Sequence, residues 1–251
     1  MKTSAQSAMY AKHAQLMQAR QQNYFDRPSA EVLFLIPEDV QRVLEVGCGS
    51  GTTLRTLKEQ RLQEGRICEV VGVDIEVEAI SRAKEYLDAA YLMNAEEDEL
   101  TEYPQGYFDL LIMQQVLEHF VNPWATLRQW LPLVRPGGYL IAGVPNIGNY
   151  RFLKRLILND EFAYEPCGIL DWTHLRYFTL TSFNEFLTGA GLTLVKSLGL
   201  PKEEQMTPKV RYLVRLFPSL NRFAYCTYVV LARTGKETPV DYIPFKKTYT
   251  L

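Results

Sequence analysis

The 251-residue sequence predicts an α/β protein built on a doubly wound, mostly parallel seven-stranded sheet. Three observations predict this fold class. Short apolar runs alternate with helical segments as far as Val144, three glycines follow the first run, and the second run ends on the acid Asp74. Two more strands follow without a clear crossover pattern, so we expect the final strand to run antiparallel at the edge of the sheet.

Glycine, proline and the period of the apolar residues define the elements in the first half of the chain. A polar segment without glycine or proline predicts a helix over about residues 5–25, closed by Tyr24 and Phe25. A short helix at residues 30–36 ends before Pro37. Strands are predicted at 42–46, 69–74, 91–93 and 108–113, and helices at 52–60 and 77–87. The run at 108–113 is almost wholly apolar, as in a strand that is buried on both faces.

The second half begins with a helix and a strand that have clear local signals. Asn122-Pro123 is typical of an N-cap followed by proline at the first helical position, and the helix continues through Trp130. Pro136-Gly137-Gly138 turns the chain into a strand at 139–144. The remaining predicted elements are helices at 150–158, 180–187 and 210–217 and strands at 192–197 and 225–232.

This order of elements divides the chain into three parts. Residues 1–39 form an N-terminal helical lid, residues 40–234 form the central domain, and residues 235–251 form a tail. Residues 145–179 are irregular and too long for an ordinary connection, so they are predicted to be an insertion that caps a substrate site.

Composition excludes several classes of protein. The net charge of −2 argues against a dedicated nucleic-acid binder, which depends on phosphate neutralisation. The four cysteines are widely spaced without a CxxC pair, so we expect neither a metal site nor a disulfide framework. The N-terminus lacks an apolar signal core, and no apolar run approaches the ~20 residues that span a bilayer. These features predict a cytoplasmic protein, and they leave its oligomeric state open.

The glycine segment Leu44-Glu-Val-Gly-Cys-Gly-Ser-Gly51 predicts the cofactor. A dinucleotide fingerprint would place its third glycine where Thr52 stands, close to a pyrophosphate. Glu45 lies two residues before the first glycine, and a carboxylate there suits a cationic ligand better than a phosphate. S-adenosylmethionine has a sulfonium and an ammonium and no phosphate. The segment therefore favours S-adenosylmethionine, with its ribose at Asp74.

Over about residues 40–233 the sequence resembles the class I S-adenosylmethionine-dependent methyltransferases, which have a Rossmann-like fold. Beside the glycine segment and Asp74, the matching motifs are Met93-Asn-Ala-Glu96, Phe108-Asp-Leu-Leu-Ile112, Val116-Leu-Glu-His119 and Leu133-Val-Arg-Pro-Gly-Gly-Tyr-Leu140. The resemblance implies methylation of a small molecule. The cofactor-binding residues that it implies are Glu45, Gly47, Gly49, Gly51, Asp74, Ile75, Asn94, Ala95, Glu96 and Gln114. Asn94 stands where the family usually has an aspartate near the adenine.

Methyl transfer to a hydroxyl needs a group that accepts its proton. His119 follows the fourth predicted strand, and His174 lies in the insertion beside Asp171. Histidine suits this role because its ordinary pKa lies near neutrality and a carboxylate can tune it. We therefore name His174, His119 and Asp171 as catalytic candidates. Tyr177 is a further possible base, and catalysis by alignment alone stays open.

The acceptor site is predicted between the insertion and the N-terminal helix. Aromatic faces there suit a sugar or quinol ring, and the cations suit a phosphate or a membrane surface. The candidate acceptor-binding residues are Tyr24, Asn146, Tyr150, Arg151, Trp172, Arg176 and Tyr177. The segment Asp171-Trp-Thr-His-Leu-Arg-Tyr-Phe-Thr179 resembles bacterial methyltransferases that act on quinone precursors, sugars or surface polysaccharides. Lys209, Arg211 and Arg215 add basic surface, which favours an anionic or lipid-linked acceptor.

Two other functions compete with a small-molecule O-methyltransferase. The first is a nicotinamide-dependent oxidoreductase, which Thr52 and the later motifs disfavour. The second is a non-catalytic module that binds S-adenosylmethionine, and the intact glycines, Glu45 and Asp74 argue against it. The insertion itself has a simpler alternative, in which it is a helical cap whose charges serve only solubility.

Overall fold

The computed structural model of the chain describes residues 27–201 and 207–235. The predicted N-terminal helix with Tyr24 and Phe25, and the predicted tail beyond residue 235, lie outside the described residues. The strands are β1 Arg42–Val46, β2 Glu69–Asp74, β3 Ala89–Leu92, β4 Phe108–Gln114, β5 Val134–Pro145, β6 Thr193–Leu200 and β7 Thr227–Arg233. The α-helices are α1 Ala30–Leu35, α2 Thr52–Gln63, α3 Val77–Ala83, α4 Pro123–Trp130, α5 Tyr150–Asn159, α6 Leu180–Gly189, α7 Pro208–Leu216 and α8 Asn221–Ala224.

Local signals in the sequence set the ends of the helices. Ser29 caps α1 by accepting a hydrogen bond from the Val32 N–H. Asn122 caps α4 in the same way, with Pro123 at the first helical position. Thr179 and Ser182 form a capping box at the start of α6. The helix after β2 ends at Ala83, earlier than the predicted residue 87, and turns lead from there into β3.

The seven strands form one sheet in the order β3-β2-β1-β4-β5-β7-β6. The first five strands in this order pair in parallel, and β7 is antiparallel to both β5 and β6. The α/β class, the seven strands and the antiparallel final strand are therefore confirmed. Its predicted place at the edge is wrong, because β7 inserts between β5 and β6 and leaves β6 as the edge strand.

The core lies on both faces of the sheet. Alternate residues of one strand point to opposite faces, so Leu44 and Val46 pack in one cluster while Val43 packs in the other. In β4, Leu111 and Met113 face the first cluster, and Leu110 and Ile112 face the second. All four side chains are fully buried, as expected of a central parallel strand covered by helices on both sides.

Candidate active site

A cavity of about 390 Å³ opens at the carboxyl ends of β1, β2 and β4. After β1 the chain continues to β2 on one side of the strand order, and after β4 it continues to β5 on the other side. Open α/β sheets bind ligands at the place where the strand order reverses in this way. Most of the predicted cofactor residues line this cavity. They are Glu45, Gly47, Gly49, Asp74, Ile75, Asn94, Ala95, Glu96 and Gln114. The start of α1 and the residues before it also line this cavity, through Arg27, Pro28, Ser29 and Glu31.

The loop after β1 is held open by its own backbone. The N–H groups of Gly47 and Cys48 both donate to the Val73 carbonyl, at 2.8 and 3.1 Å. Gly47 has a φ of +77°, and a Cβ there would lie 2.9 Å from Val116 Cγ2. Only glycine fits this backbone and this spacing, so the loop presents main-chain atoms to the cavity.

Gly51, the third glycine, does not line the cavity. It begins α2 as the N-cap with a φ of +75°, and a Cβ there would lie 3.0 Å from Leu87 Cδ1. Its expected role in cofactor binding is therefore corrected to one in packing. The absence of a side chain lets the start of α2 approach the turn before β3.

Asp74 fixes the glycine loop as well as lining the cavity. Its Oδ2 accepts the Gly49 N–H at 2.7 Å, and its Oδ1 accepts the Glu76 N–H at 2.9 Å. Burial raises the pKa of the Asp74 carboxyl, and these backbone hydrogen bonds oppose that rise. The carboxyl group therefore ties the ends of β1 and β2 together at the cavity wall.

Glu45 is the unusual charge in this site. It is buried, and among the described residues its Oε2 has no hydrogen-bond partner. Burial first, and the nearby Asp74 carboxyl second, raise the pKa of Glu45 to about 8. An unsatisfied buried carboxyl group that lines a cavity fits a ligand with a cation.

Gln115 is a site residue that the sequence reasoning missed. It follows β4 directly with a φ of +53°, which is unusual for a residue with a side chain, and it lines the cavity beside Gln114. Gln114 takes its place because residue 143 is glycine, since a Cβ there would lie 1.9 Å from Gln114 Oε1. The sequence alone could not reveal this pairing of Gln114 with Gly143, because it depends on the register between β4 and β5.

Glu96 holds the far wall of the cavity together. Its two carboxylate oxygens accept the N–H groups of Val121 and Asn122 at 3.0 and 2.8 Å. Asn94 Oδ1 in turn accepts the Glu96 N–H at 3.1 Å. The loop after β3, in which Ala95 is buried, is thereby joined to the segment after β4.

The two histidine candidates lie side by side, with ring centroids 4.8 Å apart, and only His119 lines the cavity. His119 Nδ1 lies 3.2 Å from the Thr173 carbonyl oxygen and 3.1 Å from Thr173 Oγ1. A carbonyl oxygen can only accept, so Nδ1 has the hydrogen and Nε2 is the basic nitrogen. The Thr173 hydroxyl donates to Asp171 Oδ1 at 2.6 Å.

His174 and Asp171 do not line the cavity. His174 Nδ1 donates to the Ile169 carbonyl at 2.9 Å. Asp171 Oδ1 also accepts the Thr173 N–H at 2.9 Å. Direct proton transfer from an acceptor in the cavity is therefore expected of His119 alone among the three catalytic candidates, and the other two fix its surroundings.

The same cluster has the ligand types that divalent metals use. Glu118, His119 and His174 are buried, and each offers one ligand atom within 4.8 Å of the other two. Glu118 also accepts the N–H groups of Leu175 and Arg176 through its carbonyl oxygen. The expectation that the protein has no metal stays a prediction, and this cluster is the place in the described chain to test it.

The predicted acceptor residues of the insertion do not line the cavity. Asn146 is buried, and its Nδ2 donates to the carbonyls of Arg222 and Tyr225, each at 2.9 Å. Its expected role in binding is therefore corrected to one of joining β5 to the segment before β7. Arg176 donates to the Val121 carbonyl. Trp172 is largely exposed.

The three remaining acceptor candidates are also placed elsewhere. Tyr150 and Arg151 begin α5, where Arg151 Nε donates to the Tyr150 hydroxyl at 3.4 Å. The Tyr177 hydroxyl donates to the His174 carbonyl at 3.4 Å. Burial, followed by a hydrogen bond with Tyr164, raises the pKa of Tyr177, which disfavours a phenolate base.

Within residues 27–201 and 207–235, no helix has the length and apolar character that crossing a membrane requires.

Comparison with known proteins agrees with this geometry. A family described as a methyltransferase domain matches residues 17–197. The chain is 26% identical over 167 residues to the ubiquinone biosynthesis O-methyltransferase of Azoarcus sp. strain BH72, covering 64% of this chain and 67% of that protein. It is 32% identical over 127 residues to the protein of the same name from Proteus mirabilis strain HI4320, covering 49% of each chain. The chain thus spans about half to two thirds of the length of these relatives.

The fold also matches solved structures. A SAM-dependent methyltransferase from Archaeoglobus fulgidus superposes with a TM-score of 0.56 at 20% identity, covering 78% of this chain and 87% of that one. The family match over residues 17–197 overturns the nicotinamide-dependent alternative. Because the family match covers more than half of the sequence, the chain belongs to the methyltransferase-domain family and is a class I S-adenosylmethionine-dependent methyltransferase.

Proposed function

We propose that the protein transfers a methyl group from S-adenosylmethionine to a hydroxyl oxygen of a small-molecule, glycan or lipid-linked acceptor. The observation on which this proposal depends is the pairing of an unsatisfied carboxyl group, Glu45, with a tautomerically fixed histidine, His119, in the walls of one cavity. The first suits a cationic methyl donor, and the second suits removal of a hydroxyl proton.

The residues of the cavity fit the cofactor. The unpartnered Oε2 of Glu45 would bind the ammonium at the methionine end, and Asp74 would accept the ribose hydroxyls. Gly47 and Gly49 both have positive φ values and, without side chains, present main-chain atoms to the cavity. Asn94, Ala95 and Glu96 would lie near the adenine. When bound, S-adenosylmethionine supplies a methyl group attached to a positively charged sulfur, and the sulfur becomes a neutral thioether as the leaving group.

The chain has two tasks beyond binding the cofactor. It must align the acceptor oxygen and remove its proton as the new bond to carbon forms. His119 Nε2 takes that proton, since Nδ1 is held in the protonated form by the Thr173 carbonyl. Asp171 keeps the Thr173 hydroxyl oriented and favours the imidazolium that results, because its carboxyl group is linked to the ring through that hydroxyl.

The class of acceptor rests on the relatives and on the sequence. The curated relatives are named for O-methylation in ubiquinone biosynthesis, which supports a hydroxyl acceptor. A sugar or quinol ring is compatible with the motif at residues 171–179. In this proposal the insertion at 145–179 contributes the wall behind His119, and the N-terminal lid at residues 1–39 covers the cavity from the side of Arg27–Glu31.

The test compares variants of His119 and Thr173 in the full-length enzyme. His119→Ala should lower kcat by about 10²–10⁴-fold, the usual effect of losing a general base, while the Kd for S-adenosylmethionine stays within about twofold. Thr173→Val removes the hydroxyl that contacts both His119 and Asp171, and Thr173→Ser retains it. We expect Thr173→Val to lower kcat and shift its pH profile, and Thr173→Ser to restore both.

A matched variant separates this role from folding. His174→Asn removes the neighbouring ring, which is outside the cavity, and should lower activity less than His119→Ala. Wild-type turnover by a folded His119→Ala protein would show that alignment alone accounts for catalysis.

A panel of quinols, sugars, glycans and nucleotide sugars with radiolabelled methyl donor tests the acceptor. Binding of the cofactor with no methyl transfer to any of them would favour the non-catalytic module.

A further inference from the structure

Two segments of the chain, here called the excursions, leave the sheet at the same end: residues 146–192, between β5 and β6, and residues 201–226, between β6 and β7, of which 201 and 207–226 are described. β5 ends at Pro145 and β6 ends at Leu200, and both residues pair with Thr227 at the start of β7. Asn146 joins the excursions by donating to the Arg222 and Tyr225 carbonyls. Because β4 and β5 are parallel, the cavity opens at this same end of the sheet.

Exposed apolar side chains are concentrated on these excursions. Among the described residues, eighteen large apolar side chains are exposed, and eleven of them belong to the excursions. The eleven are Leu156, Ile157, Leu158, Phe162, Tyr164, Trp172, Tyr212, Leu213, Leu216, Phe217 and Leu220. Five of them lie within residues 212–220, and such a local concentration of exposed apolar side chains marks a site of interaction.

α7 contains three of these five side chains, Tyr212, Leu213 and Leu216. None of its described side chains is buried. At about 100° per residue, Tyr212, Leu213 and Leu216 fall on one side of the helix, and Arg211 and Arg215 fall on the other. Helices that lie in the plane of a membrane interface have this distribution, with the apolar side toward the acyl chains.

The charge of the same segment identifies the kind of surface that it fits. Residues 207–226 contain four cations, Lys209, Arg211, Arg215 and Arg222, and no acid, although the whole chain has a net charge of −2. A local excess of cations in an otherwise acidic chain complements an anionic lipid surface. Arginine can keep its guanidinium at the phosphates while its stem lies along the apolar boundary.

We infer that α7 and the turn Pro218–Leu220 dock the enzyme on an anionic lipid bilayer. Tyr212, Leu213, Leu216 and Phe217 insert below the headgroups, and Arg211 and Arg215 bind lipid phosphates. Docking in this way turns the cavity-bearing end of the sheet toward the bilayer. The inference does not depend on the identity of the acceptor, and a lipid-linked acceptor would gain direct access to the site.

The experiment is flotation of the full-length protein with phosphatidylcholine vesicles, with and without phosphatidylglycerol. We expect binding only to the anionic vesicles. Arg211→Gln with Arg215→Gln should weaken it by about 30-fold, since each cation near such a surface contributes roughly fivefold. Leu213→Asp with Leu216→Asp should abolish it. Leu62→Asp with Ile67→Asp is the matched control, because these exposed residues lie outside the excursions, and it should bind normally.

Three results would overturn the inference. They are no binding of the wild-type protein to anionic vesicles, equal binding by Leu213→Asp with Leu216→Asp, or a wild-type dimer in sedimentation that this variant converts to a monomer without any vesicle binding. The last result would assign the surface to a second copy of the chain. Affinity for S-adenosylmethionine in vesicle-free buffer, together with circular dichroism, checks that each variant is folded and separates failure of docking from failure of the proposed function.

Discussion

Replacement of Glu45 by glutamine tests the physical basis of cofactor recognition. With a pKa of about 8, the carboxyl group is only about one tenth ionised at pH 7 and about one hundredth ionised at pH 6 in the ligand-free protein. An ammonium placed beside it favours the ionised form. Binding of S-adenosylmethionine should therefore release the proton of Glu45.

The magnitude follows from that ionised fraction. If only the ionised form binds the ammonium well, the apparent Kd should fall about tenfold from pH 6 to pH 7 and level off above pH 8. At pH 7 about 0.9 proton should be released for each cofactor bound, which is the protonated fraction of Glu45. Glu45→Gln should bind more weakly and lose both the slope and the proton release.

Calorimetry in buffers of different ionisation enthalpy measures the affinity and the proton count together. Glu85→Gln makes the same chemical change at an exposed position outside the cavity and should behave as the wild-type protein does. A Kd that is constant between pH 6 and pH 8, or a Glu45→Gln protein with the wild-type slope, would refute the assignment of Glu45 to the ammonium.

Three other predictions concern stability, the ribose and the lid. Between pH 4.5 and 8 the folded ligand-free protein keeps a proton on Glu45 that the unfolded chain has lost. The free energy of unfolding should therefore fall by up to about 1.4 kcal/mol per pH unit as the pH rises. Urea denaturation should show this slope, and a slope that persists in Glu45→Gln would show that Glu45 is not its cause. Asp74→Asn should raise the Kd for S-adenosylmethionine at least about tenfold, because hydrogen bonds to a charged group contribute about 1.5–3 kcal/mol; an unchanged Kd in calorimetry would remove Asp74 from the site. Deletion of residues 1–25 should raise the acceptor KM more than it lowers the melting temperature, and unaltered steady-state kinetics would show that this segment is not a lid.

The parts of the structure that depend on residues close together in the sequence were predictable from it. β1 and β2 match the predicted bounds residue for residue, because each is an apolar run that stops at glycine or at an acid. The cofactor cavity was predictable for the same reason. Its glycine loop and Asp74 lie at the ends of two consecutive strands, which a parallel sheet brings together.

The remaining features depend on contacts between distant residues. The place of β7 inside the sheet depends on its pairing with β5, which no local pattern specifies. Asn146 was expected to bind the acceptor, but its amide donates to the carbonyls of Arg222 and Tyr225. These two residues lie 76 and 79 positions further along the chain. His119 and His174 were both candidates in the sequence, and the cavity, which only His119 lines, distinguishes them.

The contact between His119 and Thr173 has a consequence for how the substrate range of this enzyme could be altered. The histidine belongs to the sheet domain, but the group that fixes its tautomer comes from the loop region that would be exchanged to recognise a new acceptor. On the proposed mechanism, a chimera with a foreign loop in place of residues 146–179 would bind S-adenosylmethionine and still lack an oriented base. Grafting of acceptor specificity onto this scaffold should therefore succeed only where Asp171 and Thr173, or residues of the same geometry, are transplanted with the loop.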